Sequence, residues 1–468
     1  MKLYNTLTKK TQDVRPLEGN TIRMYSCGPT VYDHAHIGNL SAFIAADTLK
    51  RTLKSAGFTV KHVMNFTDVD DKTIKRSREK YPHLDPKEAL HKLTREYEEI
   101  FKTDMAAIGN SINDIEFVRA TDMIPAMQVL ISTLYDEGFA YITDDGVYFS
   151  IDAYQQSGKK YGQLLKIDSS NTSKERISND EYDKDSAHDF ALWKTAKPGE
   201  PVWEFTLGNQ HIHGRPGWHI ECSAMSASSL GQPFDIHTGG VDLIFPHHEN
   251  EIAQSTAGRD DPMYAKLFSH SEHLLVDDKK MSKSLNNFYT LGDITNRGFD
   301  PLAFRLMILQ SHYRSQSNFT WENLQAAQNR LNSLHDFADL RFQLTDSASA
   351  IDYGGLDILW SEATRSLYED INTPQALKYM SDLEEKINTS GFKKEEGFMQ
   401  YLNDTDALFG LRLTTSSDIT EDQRQLITQR EQARKSKDFA KSDELRNKLK
   451  KQGIEVKDTD RGTVWSRT

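Results

Sequence analysis

Apolar and polar positions change their period several times along the 468 residues. Residues 22–27 (IRMYSC) make a short, mostly apolar run that stops at Gly28-Pro29, which predicts a strand ending in a turn. From about 37 to 56 the period is helical, with Leu40, Phe43 and Ile44 on one face and Gly57 placed as a C-terminal cap. Residues 58–66 (FTVKHVMNF) predict a second strand and close a βαβ unit. A helix follows over 87–107, with Ala89, Leu90, Leu93, Tyr97, Ile100 and Phe101 at helical spacing. Another runs over 122–137, opening at Thr121 or Asp122 and stopping at Gly138. YITDDGVYFS then carries Asp145-Gly146, a hairpin turn signal. Residues 167–189 are polar and predict a surface loop or a partly disordered stretch. Strand-loop-helix grammar resumes with FDIHTGG (234–240) and a helix starting near Pro246. From about 301 to the mid-400s the pattern is almost wholly helical, as in a bundle, and GIEVKDTDRGTVW (453–465) returns to strands and a turn. The expected architecture is α/β: a Rossmann-type parallel sheet interrupted by an inserted subdomain, then a helical bundle and a small C-terminal α+β region.

Composition narrows this picture. The length suggests about three domains, and 37% hydrophobic with 10% aromatic residues excludes wholesale disorder. No apolar run approaches the ~20 residues of a membrane span. The N-terminus, MKLYNTLTKKTQD, lacks the apolar stretch of a signal peptide, so a cytoplasmic protein is expected. The net charge of −12 argues against a phosphate-rich partner only until it is divided by region. Residues 421–468 hold 13 basic and 9 acidic side chains, +4, and the preceding 420 residues carry −16. The run QREQARKSKDFAKSDELRNKLKK is either a solvated, salt-bridged helix or a phosphate-contacting one.

Only two cysteines occur, Cys27 and Cys222, which excludes a disulfide scaffold and any CxxC site. Six of the sixteen histidines fall between 211 and 248: His211, His213, His219, His237, His247 and His248. On a helix, His247 and Glu251 at i,i+4 share one face and could converge on one ion. His248 and Glu251 at i,i+3 serve almost as well, so spacing leaves the choice open. Two thiolates, an imidazole and a carboxylate would suit Zn²⁺ better than Mg²⁺. Equally, the cysteines could be small buried hydrophobes and the histidines the lining of a polar cleft. No GxxxxGK[ST] loop is present, which disfavours a P-loop ATPase. Instead CGPTVYDHAHIGN runs from a strand end into a helix start, where backbone N–H groups and the helix dipole meet anions. DDKKMSKSLNN (277–287) places Lys279, Lys280 and Lys283 after a strand, as a pyrophosphate clamp or a solvated turn.

Taken together these segments resemble the cysteinyl-tRNA synthetase family of class I aminoacyl-tRNA synthetases. HIGN (36–39) stands where the class I HIGH signature belongs, and KMSKS (280–284) is the full second signature. YSCGPTVYDHAHIGN, NFTDVDDK (65–72), GRPGWHIECSAM (214–225), DIHTGGVDLIFPHHENEIAQS (235–255), SHYRSQSNFTWENL (311–324) and 433–465 are also family-like. The departure is Asn39 in place of the last signature histidine. The resemblance implies a Rossmann-type catalytic domain at 1–120 and 200–300, an inserted connective subdomain at 121–199, a linking segment and helical bundle at 301–415, and an anticodon-binding region at 416–468. It implies one zinc ion held by Cys27, Cys222, His247 and Glu251, so that His247 is selected over His248. It further implies substrate contacts from Thr67, Trp218, His237 and Asp242. His36, Asn39, Lys280 and Lys283 would act on ATP, which enters with Mg²⁺ as a substrate. The expected partners are L-cysteine, ATP and tRNA(Cys), with no membrane, and the expected state is a monomer. A shorter relative type, a cysteine ligase acting on an amino-sugar acceptor, shares both signatures but lacks the C-terminal region.

Overall fold

The computed structural model describes residues 1–165, 188–281, 287–343, 353–390, 396–459 and 462–467. Most of the polar 167–189 stretch, and Lys283 of the second signature, lie outside the described residues. Two compact units divide the chain: Met1–Trp321 with Arg365–Pro374, and Glu322–Thr364 with Gln375–Thr468.

The first unit is built on five strands that pair only in parallel. In space they run Ala265–Ser271, Phe234–Gly240, Thr21–Ser26, Thr59–Phe66 and Ile115–Arg119. Numbered along the chain this order is 3-2-1-4-5 read from the last-named edge, the doubly wound arrangement. Along Thr21–Ser26, and at Leu267 and Phe268, neighbouring residues enter different cores, as a two-residue repeat demands, while Phe234, at the start of its strand, leaves the face of Ile236. Ile22, Met24, Ile236 and Leu267 pack with Ala46, Leu49 and Leu53 of the Ile37–Ser55 helix. Tyr25, Val63, Phe234 and Phe268 turn the other way, onto Ile220 and Met225 of the Trp218–Leu230 helix. The first helix is also held by charge. Asp47 accepts from the buried Arg305 Nη2 at 2.7 Å, and Arg305 Nη1 reaches Asn110 Oδ1 at 2.6 Å.

Between the third and fourth strands the chain builds a second, antiparallel sheet. Its order is Ala140–Ile142, Gly146–Phe149, Phe190–Thr195, Gln210–Pro216 and Trp203–Leu207. The inserted sheet therefore continues to Pro216, past the expected limit at 199, because Gln210–Pro216 pairs back onto Phe190–Thr195 and carries Trp203–Leu207 on its outer edge. Glycine is required at 146, where a Cβ would stand 2.2 Å from the Trp193 carbonyl oxygen.

The break comes just before Pro246, where the expected helix opens: Phe245 is extended (φ −139°, ψ 135°) within the wide turn Ile244–His248, and His248, already helical, leads into the regular helix Glu249–Thr256. A residue before proline is pushed out of helical geometry, and proline itself brings no N–H.

The second unit is helical over Trp321–Asp339, Tyr353–Tyr368, Thr373–Ser390 and Glu396–Phe409, with the ends of these helices shared as above. Glu421–Lys435 and Phe439–Lys451 then pack with a hairpin of Ile454–Thr459 and Gly462–Arg467 around Leu426, Leu445, Leu449, Val456 and Trp465. Arg430, 2% exposed, holds Asp458 through both guanidinium ends at 2.8 and 2.7 Å.

Candidate active site and metal centre

At the C-terminal edge of the parallel sheet, the first and fourth strands send their chains to opposite sides. Such a switch point leaves a crevice for a ligand. Here the crevice is a cleft of about 510 Å³ whose lining includes Cys27, His34, His36, Asn39, Trp218, Gly240, Asp242, Lys280 and Met281. Gly28 makes the turn out of the first strand. A Cβ there would lie 1.9 Å from the Asn65 carbonyl oxygen, so only glycine lets the two strand ends close up.

The sulfur chemistry gathers behind Cys27, the one of the four expected metal ligands that lines the cleft. Cys27 and Cys222, 195 residues apart, bring their Sγ atoms to 3.9 Å. His247 Nε2 lies 3.0 Å from Glu251 Oε1, across the i,i+4 step. One ligand atom from each of Cys27, Cys222, His247 and Glu251 falls within 4.8 Å of the others, and all four residues are buried. A second grouping of Cys27, His237, His248 and Glu251 meets the same distance test. The two share Cys27 and Glu251, and His247 is the histidine that joins both cysteines. Either grouping could hold a metal ion.

The surroundings of this set are themselves arranged. His219 and His247 meet Nδ1 to Nδ1 at 2.9 Å, one donating to the other, and Trp218 stacks on His247 at 4.3 Å. His237 Nε2 and the Tyr264 hydroxyl both reach Glu251 Oε2, at 2.8 and 2.7 Å. His248 stands 3.3 Å from Cys27 Sγ and passes on through His270, at 2.8 Å, to the Thr6 hydroxyl. Burial alone would keep Glu251 protonated, but the neighbouring His237 and His247 pull its carboxyl below the usual range. Burial also opposes ionisation of Cys222, yet the Cys27 thiol hydrogen bond and His247 bring it down to about 6. Burial first, then Cys222 and Glu251, push the Cys27 thiol up. His248 and His270 are held neutral, chiefly by burial, His270 falling to about 3.

The other end of the cleft is open. His36 caps the Ile37–Ser55 helix, its Nδ1 accepting the Asn39 N–H at 3.1 Å. A neutral imidazole that accepts at Nδ1 carries its proton on Nε2 and so presents a donor there. Asn39 is exposed in the first turn, and Lys280 is exposed in a two-residue strand paired to Leu275 and Val276. Lys283 falls outside the described residues.

The four expected substrate contacts divide. Trp218 and Asp242 line the cleft; Thr67 and His237 are not among its lining residues and are buried. The Thr67 hydroxyl donates to Glu221 Oε2 at 2.9 Å, and His237 belongs to the Glu251 environment. Histidine density had drawn attention to His219 and His248. Tyr264 and His270 lie beyond that dense stretch, and no spacing signals them.

Residues 13–329 match the family model of the tRNA synthetases class I (C) catalytic domain, and 416–465 match the cysteinyl-tRNA ligase anticodon binding domain. A cysteine–tRNA ligase of Brachyspira hyodysenteriae is 40% identical, over 99% of this chain and 98% of its own length. One from Thermococcus gammatolerans is 39% identical, over 100% and 99%. Among solved structures, Mycobacterium tuberculosis methionyl-tRNA synthetase with methionyl-adenylate superposes at a TM-score of 0.56. It is 11% identical, over 84% of this chain and 88% of that one, a likeness of fold alone. The chain belongs to the cysteine–tRNA ligase family of class I tRNA synthetases.

Proposed function

We propose that the protein charges tRNA(Cys) with L-cysteine in an ATP-dependent reaction of two steps. The observation that carries this reading is the buried cysteine, cysteine, histidine and glutamate set behind the Cys27 wall of a class I synthetase cleft. In the first step a cysteine carboxylate oxygen attacks the α-phosphorus of ATP and pyrophosphate leaves. In the second, the terminal ribose hydroxyl of the tRNA attacks the acyl carbon and AMP leaves. No covalent enzyme nucleophile is needed, so the protein works by positioning and electrostatics.

Serine differs from cysteine by one oxygen in place of sulfur, too small a change for a shape-fitted pocket to reject strongly. The donor set fits a soft four-coordinate ion, with a thiol already lowered to about 6 at Cys222. Zn²⁺ held by Cys27, Cys222, His247 and Glu251 would supply a preference for thiolate over alcohol. Trp218 and Asp242 border the amino acid, and Thr67 and His237 support it from the buried side. His36, Asn39, Lys280 and Lys283 act on the phosphates of ATP, which arrives with Mg²⁺. The match of 416–465 to an anticodon-binding domain and its excess of basic residues support a tRNA acceptor rather than an amino-sugar. No described helix is long and apolar enough to cross a membrane; the reading places the enzyme in the cytoplasm, as a monomer. Cysteine-dependent ATP–pyrophosphate exchange together with charging of radiolabelled cysteine onto tRNA(Cys) tests it. Transfer to an amine acceptor alone, or no exchange with zinc loaded, would sink it.

A further inference from the structure

The Glu249–Thr256 helix carries Glu251 toward the metal set, yet two positions earlier it buries a second carboxylate, Glu249, at 1% exposure. Two residues turn a helix by about 200°, so Glu249 points away from Glu251. Its partners are three consecutive backbone N–H groups of the inserted chain. Gly162 and Gln163 donate to Oε1 at 2.7 and 2.9 Å, and Leu164 donates to Oε2 at 2.9 Å. Buried loop amides need acceptors, and carboxyl oxygens supply them here. The same stretch grips the helix at two further points. The Tyr161 hydroxyl donates to Asn250 Oδ1 at 2.5 Å, and the Tyr154 and Thr256 hydroxyls meet at 2.8 Å. One side of this eight-residue helix therefore faces thiols and imidazoles, and the other is seized by residues 154–164.

A helix this short has little rigidity of its own in water. The broken turn before it, at Phe245, gives no continuous helix from which it could take its rotation. We infer that Glu249 is a positioning residue for the metal set: by holding Gly162–Leu164 in its carboxylate it fixes the rotation of the helix and so the place of the Glu251 oxygens. The inserted chain thereby helps to hold the metal, although it supplies none of the four donors. The inference rests on the zinc reading above.

The test is release of bound zinc to a chelator from the full-length protein, compared with Glu249→Gln, in which an amide NH₂ opposes a backbone N–H. Partners outside the ligand shell typically change metal affinity ~10–100-fold, and release is expected to quicken by a factor in that range. KM for cysteine should rise while KM for ATP stays within about twofold, a split that general loosening of the fold would not produce. Tyr161→Phe removes one hydroxyl on the same side and should quicken release by a smaller factor; it decides the matter if Glu249→Gln does not fold. Zinc bound normally and released at the unvaried rate from the variants overturns this inference alone. Unvaried protein that binds no zinc overturns both the metal reading and this inference.

Discussion

The two ends of the cleft are built on opposite plans. At the sulfur end every ligand candidate is buried, and its neighbours are hydrogen-bonded in turn: His247 to His219, Glu251 to His237 and Tyr264. At the end proposed to meet ATP, Asn39 and Lys280 are exposed, and one nitrogen of His36 is occupied in capping a helix. A group that must tell sulfur from oxygen needs its donors fixed before the substrate arrives, because reorganisation would erase a small energy difference. A group that meets a triphosphate and then lets pyrophosphate leave must bind its ligand only in passing.

That contrast can be broken, and the largest expected effect is at the buried end. Cys222→Ser should lower zinc below one per chain and reduce cysteine activation by more than ~100-fold, beyond what the loss of a partner outside the ligand set causes, while serine is rejected less well. Metal analysis and pyrophosphate exchange with each amino acid check this; unchanged zinc removes Cys222 from the set. Next comes the support of the end proposed to meet ATP. Asp47→Asn leaves the buried Arg305 without its main countercharge and should cost about 3 kcal/mol of stability at neutral pH, measured by denaturant unfolding. Asp47 is buried, but Arg305, Arg51 and Lys50 hold its carboxyl well below the usual range. Its contribution is therefore complete above the ordinary carboxylate value, about pH 4, and is lost as pH falls through the lower folded value. The variant and the unvaried protein should converge there. Lys283→Ala should slow pyrophosphate exchange ~100-fold, the scale of one lost transition-state donor, with zinc content unchanged. The smallest effect is ionic. Raising salt from about 50 to 200 mM should raise KM for tRNA roughly tenfold, as for a few phosphate contacts, and leave KM for cysteine within twofold.

How much of this was legible follows the same division. The first strand and helix show their period because their apolar residues are regularly spaced; the helix spans Ile37–Ser55, close to the expected 37–56. The Asp71–Lys80 helix was not legible, since it buries only Thr73, Ile74 and Ser77 and two of these are hydroxyl residues. The strands Ile115–Arg119 and Ala265–Ser271 were too short or too polar to stand out. Spacing made His247 and His248 equal candidates because i,i+4 and i,i+3 both bring a ring toward Glu251. Their neighbours separate them: the His247 ring meets His219 and the His248 ring meets His270. Nor does spacing report depth: Thr67 and Trp218 were alike as residue numbers, but one is tied to Glu221 and the other lies on the cleft wall.

The strand order carries a consequence for synthesis. The Thr21–Ser26 strand emerges early, yet one of its two neighbours, Phe234–Gly240, comes about two hundred residues later, as does the cysteine that faces Cys27. At ~5–20 residues per second, ribosomes leave that sheet edge and that thiol waiting for roughly 10–40 s. During this interval the nascent chain presents an apolar, unpaired strand to every other chain nearby, and an unoccupied thiol to any oxidant. The separation that lets two distant cysteines build one centre is also the interval in which the newborn protein is most exposed to damage.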